Sequence, residues 1–237
     1  MILPDNPIPA ERVNPRYVLL YGPRKVGKTT ILAKLKDNLI IDTEDGTDYV
    51  SALKIKAKNL VEFKAIGAEI RKHKPRKYKF VTIDIIDTLE EWALDLACDL
   101  YKESPIGKNF DKEKNNNTVE GLPNGAGYNW IRKAFKSILQ ETYDLADTVI
   151  YVGHVRDKNI EGVGSLVDSK DLDLIGKNKA IMCQACDTVG HVFRERDGRL
   201  GIDFNSLQHV LCSSRVPHVT GKKIYFDDKK GWEQIFV

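Results

Sequence analysis

No stretch of this 237-residue chain approaches the roughly 20 consecutive apolar residues that a membrane-spanning helix needs. The opening Met1-Ile-Leu-Pro-Asp-Asn-Pro7 lacks the basic and apolar regions of an export signal, so a cytoplasmic protein without a membrane partner is expected. Cysteine is scarce. Cys98, Cys183, Cys186 and Cys212 make no disulfide framework in a chain of this length, which fits a reducing compartment. Cys183-Gln-Ala-Cys186 has the spacing of half a metal site, but no second Cys or His pair matches it, so these cysteines are expected to be structural. Charge of one sign is also lacking: a net +3 is too weak to imply a nucleic-acid partner from bulk charge alone. There is no internal repeat. The 42% of hydrophobic residues suffices for one substantial core, or at most two small ones.

What the chain does have begins at Gly22-Pro-Arg-Lys-Val-Gly27-Lys28-Thr29, which fits Gly-x-x-x-x-Gly-Lys-Thr without deviation. The apolar run Tyr17 to Tyr21 before it reads as a buried strand. The segment Thr30 to Lys36 after it reads as a helix with Ile31, Leu32 and Leu35 on one side. In that context Gly22 and Gly27 allow a tight curl whose N–H groups face phosphate oxygens. Residues Gly22, Pro23, Arg24, Lys25, Val26, Gly27, Lys28, Thr29 and Thr30 are therefore the expected nucleotide cradle. Lys28 would reach the β- and γ-phosphates and the Thr29 hydroxyl would face Mg²⁺.

Further along, strands are expected at 38–42, 52–57, 79–84 and 148–153, and helices at 60–73, 128–145 and 178–187. A helix with Leu89, Trp92, Ala93, Leu96 and Leu100 in one stripe starts near Asp87. Asp87 reads as its N-cap, with Glu90 as the reciprocal partner. Residues 103–126 and 157–177 read as irregular, polar and glycine-bearing. The last third reads as strands at 188–195, 199–204, 208–213, 222–226 and 232–237. The proline-bearing residues 1–16 form an extended arm, and 17–237 a single domain. This is an α/β fold: a mainly parallel sheet flanked by helices, with antiparallel strands added at the C-terminal end.

Ligands of such sheets sit at the carboxyl ends of the strands, where Glu44, Asp84 and His154 all fall. Asp84, closing an apolar strand, is expected to hold Mg²⁺; a helix-capping role is the alternative. Glu44 is either the carboxylate that orients attacking water or a loop acid beside Asp42, Asp45 and Asp48. His154 either touches the γ-phosphate or is a satisfied histidine at a strand end. The segment Arg71 to Lys79 carries six positive side chains in nine residues, which suits a phosphate-backbone patch or a solvated helix end.

Gly22 to Thr30, Ile41-Asp-Thr-Glu44-Asp-Gly46, Val81-Thr-Ile-Asp84 continuing to Trp92, and Val152-Gly-His154-Val-Arg156 occur in an order and at separations that resemble the RecA-core P-loop ATPases. The likeness is greatest to the phage-encoded ATP-binding proteins of that core, including the Sak-type single-strand annealing proteins. The resemblance implies that Glu44 is the catalytic carboxylate, Asp84 the Walker B acid and His154 a γ-phosphate sensor. It implies an ATPase stimulated by single-stranded DNA, contacted through loops near 104–126 and 157–177. It also implies a homo-oligomeric ring or filament, acting in recombination, annealing or repair in a host cytoplasm. Arg215 would reach a neighbouring subunit's nucleotide, and a single-strand-binding protein is a further candidate partner. Ile85, where a small hydroxyl residue often follows the acid, departs from the pattern. The alternatives are a small nucleotide or nucleoside kinase, which would need an arginine-bearing lid, and a module that binds ATP without hydrolysing it.

Overall fold

The computed structural model describes residues 3, 5–162, 165–205, 210–226 and 229–237. Within the described residues, one sheet runs through the chain. Its strands are β1 (Tyr17–Gly22), β2 (Asn38–Asp42), β3 (Leu53–Lys56), β4 (Phe80–Asp84), β5 (Thr148–Gly162), β6 (Ser165–Leu172), β7 (Thr188–Arg194), β8 (Leu200–Asp203), β9 (Ser213–Ser214) and β10 (Lys223–Tyr225). Their spatial order is β10-β8-β7-β1-β5-β4-β2-β3, with β6 on β5 and β9 on β7. The pairs among β1, β2, β3, β4, β5 and β7 are parallel. Those made by β6, β8, β9 and β10 are antiparallel. This is the mainly parallel sheet with antiparallel additions that the sequence implies.

The central strands are buried on both faces, as a parallel sheet requires, and their residues alternate between two cores. Leu19, Tyr21, Ile41, Val81, Ile83 and Tyr151 enter the core beneath α2 (Leu60–Lys72), α3 (Ile86–Glu103), α4 (Ala126–Thr142) and α5 (Asn178–Ala185). Val18, Leu20, Ile40, Phe80 and Val152 enter the opposite core, under α1 (Lys28–Leu32) and the C-terminal residues Trp232 and Ile235. No helix among the described residues is long and apolar enough to cross a membrane.

Several local expectations are corrected. The first helix is five residues long and ends at Leu32, four residues earlier than its apolar pattern implies. Asp87 is not an N-cap: Ile85 holds that position without a side-chain bond, and Asp87 lies inside the first turn. A cap of the expected kind appears at α2 instead, where Asn59 Oδ1 accepts the Glu62 N–H at 2.9 Å. The segment 157–177 does not read as a loop throughout, because β5 and β6 pair from Val155↔Leu172 to Gly162↔Ser165. Within it, Gly164 lies outside the described residues. So do residues 208 and 209 of the expected strand 208–213 and the turn residues Asp227 and Asp228. The expected strand 232–237 is largely a 3-10 turn, Lys229–Gln234, pinned by the Trp232 indole N–H to Ile31 O at 2.9 Å.

Residues 104–126 are irregular, as expected, but packed rather than loose. Val119 is buried, the Phe110 ring meets Tyr101 edge-on, and Lys112 spans Asp95 and Asp99. Residues 5–13 are exposed, and the chain is first tied down where Asn14 exchanges bonds with Val237.

Candidate active site

The carboxyl ends of β1, β2, β4 and β5 surround a pocket of about 440 Å³. It is lined by Arg24, Lys25, Gly27, Lys28, Thr29 and Thr30 from the glycine loop, and by Asp42, Glu44, Asp84 and His154 from neighbouring strand ends. Residues drawn from four separated stretches of sequence thus share one wall, because β5 lies beside β1, β4 beside β5 and β2 beside β4.

The loop is shaped by its glycines. A Cβ on Gly22 would stand 2.4 Å from the Val192 carbonyl oxygen, so the passage of β7 leaves room for hydrogen only. Gly27 has φ +115°, a conformation that a side chain would strain. Arg194, at the end of β7, braces the loop from behind by donating to Val26 O at 3.0 Å. With α1 only five residues long, its dipole is small. The means of holding an anion are the loop's main-chain N–H groups and Lys28.

The Lys28 side chain is buried and donates to Gly22 O at 3.0 Å and Pro23 O at 2.9 Å. Burial lowers its pKa to about 8, against the opposing pull of Asp84, Asp87 and Glu44. Thr29 Oγ1 donates to Asp84 Oδ2 at 2.7 Å. Asp84 is raised above the usual carboxylate range, chiefly by burial, with the Thr29 bond holding it down. A buried carboxylate with one hydroxyl partner and a raised pKa is a group that gains from a cation beside it. Thr29 and Asp84 therefore fit Mg²⁺, which binds hard oxygen donors and takes most of its shell from water and phosphate. No dedicated cage of three or more His, Cys, Asp or Glu side chains exists among the described residues, and none is required.

Glu44 is held in place by its neighbours. The main chain of Thr43 is bound to Asp84 O at 2.8 Å, and its hydroxyl bridges both the N–H and the carbonyl of Ile85. Asp42 is buried and collects the N–H groups of Glu44, Gly46 and Thr47 together with the Thr47 hydroxyl, at 2.6–3.2 Å. The Glu44 carboxylate is left half-exposed in the pocket, 3.6 Å from Arg24.

His154 sits in register with Gly22, at the last position where β5 pairs with β1. Its Nδ1 lies 2.6 Å from Asp87 Oδ2, so Asp87 fixes the ring while His154 lines the pocket. Asp87 Oδ1 is buried without a hydrogen-bond partner among the described residues.

The pocket brings together every expected cradle residue except Gly22, Pro23 and Val26, which form its backbone support, and it adds Glu44, Asp84 and His154. Arg215 is not among its lining residues. It is exposed at the opposite end of the sheet, where its N–H meets Asp187 O beside the start of β1. Three contributors escaped the sequence reading. Asp42 looked like one of several loop acids, Asp87 looked like a cap, and Tyr49 gave no signal. The Tyr49 side chain is fully exposed at the pocket rim, where an aromatic face suits a nucleobase.

A family profile described as an AAA domain matches residues 14–232. No curated protein matches the chain. Among solved structures, the crystal structure of the RadB recombinase is similar over 92% of this chain and 90% of that chain, with 14% sequence identity and a TM-score of 0.47.

Proposed function

The chain belongs to this AAA domain family of P-loop ATPases, and from that premise we propose that it hydrolyses ATP as a RecA-core protein working on single-stranded DNA in recombination, annealing or repair of the phage type. One observation carries the catalytic part: Lys28, Thr29, Glu44, Asp84 and His154 share a single pocket beside the glycine loop. The order of strands agrees with it, since β5 lies between the glycine-loop strand β1 and the acid-bearing β4 and so brings His154 alongside.

In this reading the main chain of residues 24–30 and the Lys28 ammonium grip the phosphates. Mg²⁺, held by Thr29 and Asp84, would neutralise charge on the β- and γ-phosphates. Glu44 accepts a proton from the attacking water, and the Asp42 bonds keep its backbone still while it does so. The ring of His154, whose Nδ1 is held by Asp87, turns its Nε2 toward the terminal phosphate and loses that contact once the phosphate has left.

What supports the DNA part is the placement of the hairpin. Beyond His154, β5 leaves β1 and β4 and continues paired with β6 alone. A change at the terminal phosphate is thereby felt at the foot of an arm reaching past the sheet. An oligomer, ring or filament, belongs to the same reading: Arg215 does not line its own chain's pocket and in an assembly would serve a neighbouring subunit's nucleotide.

Steady-state phosphate release, measured with and without a single-stranded oligonucleotide, tests this. Stimulation of about tenfold or more is expected. Equal release in both arms overturns the DNA role. Tight ATP binding without release overturns hydrolysis, and release that needs a small acceptor points to a kinase.

The pH dependence of binding follows from Lys28. Phosphate requires the charged ammonium, and burial leaves that form dominant only below about pH 8. ATP affinity, titrated from pH 6.5 to 9.5, is expected to be flat at the acid end and to fall by up to about tenfold per unit above pH 8. In Lys28→Arg, whose guanidinium keeps its charge, the fall should vanish. A wild-type profile flat through pH 9.5 would remove Lys28 from the phosphate contact.

A further inference from the structure

Several of the cations in or beside the expected DNA loops are engaged in ion pairs. Lys112 is bound to Asp95 and Asp99, Lys114 to Asp111, Arg156 to Asp173 and Lys179 to Asp171. A group of cations without ion pairs among the described residues lies at the opposite end of the sheet. A cleft of about 660 Å³ opens there, where β2 and β4 begin, and Lys34, Lys36 and Lys79 line it. None of the three forms an ion pair within the described residues; Lys79 instead lies over the Phe80 ring at 5.4 Å. Lys74 and Lys77, also without ion pairs, continue the positive charge into the segment before β4. Asp37 and Glu233 line the cleft as well, so its own walls carry an excess of one positive charge and the approach adds two more.

The floor of the cleft is aromatic and rigid. Phe236 is half-exposed, its ring 4.7 Å from Phe80 and stacked on Trp232 at an interplanar angle of 19°. Trp232 is itself fixed by its indole bond to Ile31 O. A half-exposed ring held between two aromatic neighbours thus lines the cleft beside flexible ammonium groups. Cationic grooves with a fixed stacking surface hold single strands, because phosphates take the charge and any base has a face to stack. An acidic peptide would satisfy the lysines but leaves the ring face unexplained.

We propose that this cleft is a second ligand site, for a single-stranded nucleic acid, with backbone phosphates on Lys34, Lys36 and Lys79 and a base on Phe236. The proposal rests on the reading that the protein handles single strands, and it relocates part of the contact away from the hairpin. It also provides a short route to the nucleotide. The helix α1 opens with Lys28 and Thr29 in the ATP pocket, and the chain leaving it carries Lys34 and Lys36 into the cleft. Strands β2 and β4 join the same two ends over about 13 Å, at ~3.3 Å per residue.

The test uses the full chain and fluorescein-labelled oligo-dT, followed by anisotropy across a salt series, with an ATP-analogue titration of each variant as a check on the fold. Lys34→Glu/Lys36→Glu/Lys79→Glu is expected to weaken DNA binding at least tenfold and to lower the salt slope by about two, since each lost single-strand phosphate contact removes roughly 0.7. Phe236→Leu, which keeps the packing but not the stacking face, should weaken binding about fivefold or more. Analogue affinity should be unchanged in both. Wild-type DNA binding that survives unaltered in the triple variant overturns the cleft and leaves the DNA role standing. Absence of DNA binding in the wild type overturns both. Capture of a poly-glutamate peptide in place of oligo-dT assigns the cleft to an acidic partner and overturns the nucleic-acid proposal.

Discussion

Replacing Lys28 with alanine is expected to reduce kcat/KM for ATP by at least about a hundredfold, equivalent to ~2.7 kcal/mol or more, while leaving the protein folded. The two halves of that expectation have separate causes. The ammonium is the pocket's buried cation, and charge-assisted bonds to phosphate are about twice as strong as neutral ones. Its loss leaves the phosphates near Glu44 and Asp84 without the buried ammonium that offsets those charges. The fold should survive because the wild-type residue is poorly solvated. Holding Lys28 charged at a site that favours a pKa of about 8 costs about 3 kcal/mol below that pH. Alanine removes that cost, but it strips the carbonyls of Gly22 and Pro23 of a donor, at about 1–3 kcal/mol each. The opposing terms are of similar size, so the melting temperature should move by only a few degrees. Their origin can be checked by linkage. The folded-state pKa of Lys28 lies below its unfolded value, so the unfolded chain binds the extra proton between about pH 8 and 10.5. Wild-type stability should therefore gain a favourable contribution from this group as pH rises through that window, and Lys28→Ala should lack it. Near-normal hydrolysis in the folded variant would contradict the assignment of the loop.

Glu44→Gln should keep ATP bound and slow its cleavage by about 10²- to 10⁴-fold, the range that a positioned general base supplies. The substitution preserves shape and removes only the ability to accept a proton. Its structural consequences should be slight. The loop is held through main-chain N–H bonds to Asp42, which the new side chain does not touch. The pair with Arg24 is long and largely solvated, worth under about 1 kcal/mol. Removing a negative charge near the phosphates should, if anything, tighten ATP binding. Single-turnover cleavage and equilibrium titration of one preparation separate the two effects. A variant that loses affinity but keeps its rate would show that Glu44 is not the base.

Much of this site was legible in the sequence because its signals are local. A glycine loop between an apolar strand and a helix needs no distant partner to be recognised, and neither does an acid that closes an apolar strand. Capping was less legible. Asp87 and Glu90 have the spacing of a capping box, yet Asp87 turns to His154, and Glu90 is buried against the Ile175 N–H and the Asn178 amide. Both carboxylates found stronger partners across the fold than their own helix terminus offers. The hairpin at 155–172 was hidden for a similar reason. Its glycines and charges look irregular along the chain, and the ordering comes from pairing between two polar strands. The C-terminal residues fit the alternation of a strand, but burying Trp232 against α1 gives them a 3-10 turn instead.

The chain's linear order settled that a phosphate-binding loop exists, that the sheet is mainly parallel, and which acids and which histidine end its strands. These follow from backbone geometry and from the two-residue and 3.6-residue periods of its apolar side chains. Only the tertiary structure decided that Glu44, Asp84 and His154 line one pocket, that Asp42 and Asp87 hold two of them in position, and that Lys34, Lys36 and Lys79 share a cleft at the far end of the sheet. Those outcomes depend on which strands become neighbours, and contacts between residues as far apart as Asp87 and His154 leave no periodic trace in the sequence that encodes them.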